Sequence, residues 1–193
     1  MDRRDFFRRS FSKAAETVTK HAEQRVSKKA SRWIRPPFSL SELEFLLACT
    51  RCSDCIEACP HQVIFPLAAR LGADVVGTPA MDLLSKGCHL CEDWPCVNAC
   101  ETGALKLLDI DEPDDTMKRV ISPFAKAILD TTECLPYVGP ECGACAASCK
   151  IDGALIWDCE KPTIIEDKCV GCGMCREACI VEGKAIDIVS THA

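Results

Sequence analysis

The chain has 193 residues, of which 17 are cysteine, 6% are aromatic and 48% are hydrophobic, with a formal net charge of −6. A cysteine share this high lets thiol chemistry organise the fold. A core so poor in aromatics, with cysteines spread along most of the chain, needs bound inorganic groups as crosslinks, so the chain without them should be largely unfolded. Three chemistries compete for the thiols: a disulfide framework, zinc sites and iron–sulfur ligation.

The charge divides the chain, with eleven Lys/Arg against four Asp/Glu in residues 1–35 and twelve against twenty-five in the rest. An acidic body suits electrostatic docking to a protein partner and argues against nucleic acid. No run of roughly twenty apolar residues is present to span a membrane. The start, Arg3-Arg4-Asp5-Phe6-Phe7-Arg8, resembles a twin-arginine export motif, but charged residues at Lys13, Lys20, Glu23 and Arg25 stand where an apolar segment would follow. A cytoplasmic location is therefore expected over a periplasmic one.

Phe7, Phe11, Ala14, Val18, Ala22, Val26, Ala30 and Trp33 recur at steps of three and four. This spacing predicts a basic amphipathic helix over 1–35. Such a helix either packs back on the body or serves as an arm for a partner or an anionic membrane surface. Pro36-Pro37 then stops it, and 36–48 reads as a linker.

From Cys49 onward the chain repeats a unit made of a cysteine motif, a turn and a connector, four times over. The connectors share Thr102-Gly103-Ala104-Leu105, Asp152-Gly153-Ala154-Leu155 and Gly183-Lys184-Ala185-Ile186, read as short strands. Pro79-Ala80-Met81 and Pro162-Thr163-Ile164-Ile165 are expected as the second strands of small hairpins, with a brief helix following each motif. Asp109, Asp111, Glu112, Asp114 and Asp115, with Pro113 among them, read as a surface loop between two halves, 49–115 and 116–193.

The first motif, Cys49, Cys52, Cys55 and Cys59 followed by Pro60, has the CxxCxxCxxxCP spacing of bacterial ferredoxins. Three thiolates at steps of three wrap one cubane, while the fourth reaches a neighbouring cluster. Zinc knuckles need no third cysteine in phase. The fourth motif, Cys169, Cys172, Cys175 and Cys179, repeats the spacing with Ile180 in place of proline. The second, Cys88, Cys91, Cys96 and Cys100, widens its middle gap with Glu92-Asp93-Trp94-Pro95. The third, Cys134, Cys142, Cys145 and Cys149, widens its first gap to seven residues. Repetition of four-cysteine sets disfavours both zinc and disulfides. The expected cofactors are four 4Fe-4S clusters on these sixteen cysteines, and the expected fold is α+β, in tandem two-cluster ferredoxin-like units.

Because a fourth cysteine ligates the other cluster of a pair, the motifs must themselves be paired. A sequential scheme joins first to second and third to fourth, and the compact connector at 150–168 favours it. A nested scheme joins outer to outer and inner to inner. Cys159, between Asp158 and Glu160, belongs to no motif and is expected to be a quiet, non-ligating thiol, since acidic neighbours raise its pKa. His61 and His89 sit beside complete sets and are expected to stay outside the ligand shell. Trp94 and Trp157 are expected to shield clusters from water. No nucleotide loop, Ser/His/Asp set or incomplete cluster motif is visible, so the chain alone is not expected to be an enzyme.

Ile34-Arg35-Pro36-Pro37-Phe38, Phe45 and Cys49-Thr50-Arg51-Cys52, with Cys134-Leu135 and its seven-residue gap, resemble the NapF and NapG/MauM ferredoxin-type proteins. The resemblance runs from about Ile34 to Ile188. The second motif departs from NapF and is closer to NapG/MauM, or to the four-cluster subunits of molybdenum and tungsten oxidoreductases. The resemblance implies electron transfer between a redox donor and a partner oxidoreductase containing molybdenum or tungsten. On its NapF side it implies instead a cytoplasmic accessory role in maturation of a molybdoenzyme.

Overall fold

A computed structural model describes residues 20–107 and 121–191. The expected positions Phe7, Phe11, Ala14 and Val18, the twin-arginine start and the acidic loop at 109–115 lie outside the described residues. Of the expected N-terminal helix, residues 20–30 are described as helical (α1), with Ala22 and Val26 half-buried and Ala30 fully buried. Among the described residues, no helix is long and apolar enough to cross a membrane.

The architecture is short helices and paired strands in two similar halves. In chain order come α2 (Glu42–Ala48), α3 (Asp54–Glu57), β1 (Ile64–Pro66), a 3-10 turn (Ala69–Leu71), β2 (Pro79–Met81) and α4 (Pro95–Asn98). There follow β3 (Ala125–Leu129), α5 (Leu135–Val138), β4 (Leu155–Asp158), β5 (Lys161–Ile164), α6 (Met174–Ala178) and β6 (Ile186–Ser190). The strands form three antiparallel pairs, β1 with β2, β3 with β6 and β4 with β5. The expected hairpins are present, with Ile64 opposite Met81 and Leu155 opposite Ile164.

The β3–β6 pair was not legible in the sequence. It joins strands about sixty residues apart, with Ala125 opposite Ser190 and Leu129 opposite Ile186, and closes the second half around its motifs. The first half closes in the same way: Leu40 N–H donates to Ala104 C=O at 3.1 Å, Lys106 N–H donates to Phe38 C=O at 2.9 Å, and Ser39 bridges Leu105. Residues 38–40, ahead of Cys49, thus pair with 104–106 at the far end of the first two motifs. Residues 36–48, read above as a linker, are packed: Pro36, Pro37 and Phe45 are fully buried, and α2 turns Glu42 and Phe45 inward at a helical step of three.

A buried polar clamp fixes this region. Arg35 Nε and Nη2 donate to Glu42 Oε2 and Oε1 at 2.9 and 2.6 Å, and its Nη1 donates to Thr78 Oγ1 at 2.9 Å and to Pro79 C=O at 2.6 Å. Trp33 Nε1 donates to Glu42 Oε1 at 3.2 Å, and the guanidinium lies 4.5 Å from the Phe45 ring centroid. Bidentate pairing, with further acceptors on Nη1, is what makes a buried ion pair tolerable.

The expected helix at Arg176–Ala178 is present within α6, and α3, α4 and α6 all fall between the second and fourth cysteines of their motifs rather than after them. Each is preceded by a left-handed residue, Ser53 (φ 74°), Trp94 (φ 45°) or Gly173 (φ 78°). That turn reverses the loop in one residue and launches a helical turn carrying the third cysteine. The widened third motif spends its extra residues on α5, which has a proline in its first turn.

Candidate metal centres

All seventeen cysteines are free thiols, which leaves no disulfide framework. Sixteen gather in four sets of four. Burial, followed by the neighbouring Cys100, Cys49 and Cys52, pushes the Cys55 thiol up to about 12, so the last cysteine of the second motif faces three from the first. Cys96 rises to about 12 through burial and the proximity of Cys88, Cys59, Cys55 and Cys91. In the second half, burial and then Cys134, Cys179 and Cys142 hold Cys145 at about 11. Burial and then Cys149 and Cys169 hold Cys172 at about 11, and Cys175 is at about 12 through burial, Cys172, Cys169 and Cys145.

Set 1 is thus Cys49, Cys52, Cys55 and Cys100; set 2 is Cys59, Cys88, Cys91 and Cys96. Set 3 is Cys134, Cys142, Cys145 and Cys179; set 4 is Cys149, Cys169, Cys172 and Cys175. This is the sequential arrangement, with the fourth cysteine of every motif exchanged to the neighbouring set. In the first half α3 and α4, which carry the third cysteines Cys55 and Cys96, lie against each other.

Two enclosed cavities reproduce this grouping. One is lined by Cys59, Cys88, Cys91 and Cys96 together with Met81 and Trp94, and the other by Cys149, Cys169, Cys172 and Cys175 together with Ile151 and Val170. Among the described residues, no three His, Cys, Asp or Glu side chains converge closely enough to hold a single ion. A tetrahedral zinc site would draw its sulfurs to about 2.3 Å from one metal. The thiols here are not drawn together on that scale.

Trp94 is buried against the set 2 cavity and meets Phe38 edge-on at 4.8 Å between centroids. Trp157 is half-buried, and its Nε1 has no partner. His61 and His89 stack with centroids 3.5 Å apart at the rim of the set 2 cavity. Spacing gave no sign of the donor at set 1, where the Leu105 N–H points at Cys100 Sγ at 3.3 Å. A donor to a ligating sulfur favours the more negative, reduced cluster and tunes its potential. Cys159 joins none of the sets. It is exposed at the tip of the β4–β5 hairpin, in a left-handed conformation (φ 46°), with its Sγ 3.4 Å from Asp158 Oδ1.

Residues 48–104 match the family profile of the 4Fe-4S dicluster domain and residues 162–182 that of the 4Fe-4S binding domain. The ferredoxin-type protein NapG of Escherichia coli K12 is 31% identical over 96% of this chain and 83% of its own length. The chain belongs to the NapG/MauM family of ferredoxin-type proteins. The methylamine utilization ferredoxin-type protein MauM of Methylobacillus flagellatus is 34% identical over 83% of this chain and 69% of its own. The ferredoxin-type protein NapF of E. coli K12 is 28% identical over 86% and 91% respectively. No solved structure matches the chain.

The residues present fit the 4Fe-4S group that the NapG/MauM family implies. Thiols crowded four to a set, several of them buried and two of the sets lining largely apolar cavities, cannot ionise together without a cation to neutralise them. Cluster iron would supply that charge.

Proposed function

We propose that the chain is a polyferredoxin-type electron carrier that holds four 4Fe-4S clusters, one on each thiol set, and links a redox donor to a partner oxidoreductase containing molybdenum or tungsten. When bound, such a cluster accepts or releases one electron with little change of shape. The protein's own residues bind the iron through sixteen thiolates, exclude water with Trp94 and Met81 at set 2 and Val170 at set 4, and aim the Leu105 N–H at a ligating sulfur. The observation that carries this reading is the grouping of sixteen cysteines into four sets of four. The acidic body supports docking to a protein partner by charge.

Anaerobic purification tests the reading directly. About sixteen iron atoms and as many sulfides per chain are expected, with a brown colour that dithionite bleaches. Zinc without sulfide would overturn it. The match to NapF favours a second reading, an accessory protein in molybdoenzyme maturation. Isolation from the native host separates the two, since stoichiometric, stable association with a mature catalytic subunit fits wiring, and transient association with an immature apoenzyme fits assembly.

A further inference from the structure

The two halves are held together at the inner thiol sets. Cys88 N–H, in set 2, donates to the carbonyl of Cys172, in set 4, at 2.7 Å. Around it, Glu177 Oε2 accepts from Gly87 N–H at 2.7 Å, Arg176 Nε donates to Leu84 C=O at 2.9 Å, and Lys150 Nζ donates to His89 C=O at 2.7 Å. All four contacts join residues 84–89, at the entry to the second motif, to Lys150 just after the third motif or to residues 172–177 of the fourth. The Cys172 thiol is among the neighbours that raise Cys88, after burial.

Gly87 permits this approach. A Cβ built there would stand 2.7 Å from Met174 N and 2.8 Å from its Cα and Sδ, in the first turn of α6. Real side chains do not tolerate that spacing against backbone, so any larger residue must move α6 away. Gly87 has no positive φ to explain it, so close approach is the reason for glycine here.

Within each half the sets are neighbours by construction, because each motif gives three cysteines to one set and the fourth to the other. Set 1 therefore adjoins set 2, and set 3 adjoins set 4. The Cys88–Cys172 contact joins set 2 to set 4.

Resting on the four-cluster reading above, we propose that the clusters form a single row in the order set 1, set 2, set 4, set 3, and that Gly87 is the positioning residue that closes the gap between the two inner ones. The order along the row differs from the order along the chain. One electron leaves the cluster on one inner set as one electron enters the cluster on the other; no bond is made or broken and no proton is required. A one-electron donor and an oxidised acceptor protein then serve the two ends, at sets 1 and 3.

The test uses the full-length holoprotein, anaerobic and reduced with dithionite, as wild type, Gly87→Ala, Gly87→Val and the control Gly183→Ala, whose Cβ would meet nothing within 4 Å. Low-temperature electron paramagnetic resonance reads the spin–spin interaction between clusters, which falls as the inverse cube of their separation. Gly87→Val is expected to keep its iron and lose part of the splitting, Gly87→Ala to lose less, and Gly183→Ala to match wild type. Full iron with unchanged splitting in Gly87→Val overturns the role of Gly87. Fewer than sixteen irons in the wild type overturns the four-cluster reading instead. A second measurement does not depend on Gly87. Cys169→Ser, in set 4, should sharpen the signal of set 2, whereas Cys142→Ser, in set 3, should leave it unchanged; the reverse pattern overturns the order.

Discussion

Replacing Arg35 by methionine removes a cation from the most densely bonded buried point of the first half. Methionine keeps the length and the apolar stem but supplies none of the four hydrogen bonds that Arg35 donates to Glu42, Thr78 and Pro79. Glu42, only 5% exposed, would keep Trp33 Nε1 as its one remaining donor, and the Pro79 carbonyl would lose its guanidinium partner. Breaking a buried pair by removing one member costs about 3–5 kcal/mol, because an uncompensated charge is left behind. At about 2–4 °C per kcal/mol for a chain of this size, the thermal midpoint should fall by ~6–20 °C. Arg35→Lys should recover only part of the loss, since an ammonium cannot reproduce a planar fork. Replacing both partners with apolar residues, as in Arg35→Met with Glu42→Leu, should be milder than either single change. The assay is loss of visible absorbance on heating the anaerobic holoprotein. A fall of less than 2 °C in Arg35→Met would refute the argument that the clamp is a buried, mutually dependent pair.

The pairing of motifs has a stoichiometric signature. Cys52→Ser combined with Cys100→Ser damages one set in the arrangement described here and should remove about four irons, whereas a nested pairing would damage two clusters and remove about eight. Cys159→Ser should leave iron content and visible spectrum unchanged, while abolishing the thiol that reacts first with an alkylating reagent in the loaded protein; loss of a cluster would place Cys159 among the ligands.

How much of this was legible beforehand depends on the range of each interaction. Spacing alone separated the sixteen cysteines that gather in fours from Cys159, because a repeated motif is a local rhythm written along the chain. The hairpins at 64–81 and 155–164 followed from apolar pairs set between turn residues. The helix read at Arg176–Ala178 lies within α6, whereas the start of α3 after the left-handed Ser53 carries no proline or glycine signal. The region 36–48 read as a linker because Pro36-Pro37 looks like a break. Its role as the first edge of a unit depends on partners at 78–79 and 104–106 that no local pattern announces.

The sequence by itself marked the four repeated cysteine motifs and the single cysteine outside them. Exchange of the fourth cysteine was expected from the motif itself, but only the tertiary structure decided between sequential and nested pairing, by bringing Cys100 to Cys49, Cys52 and Cys55. It also decided that set 2 meets set 4, through a contact between residues 84 positions apart that rests on the missing side chain of Gly87. Cysteine spacing is a local constraint and is written along the chain. The order of the row comes from packing between the halves, and it appears only when they touch.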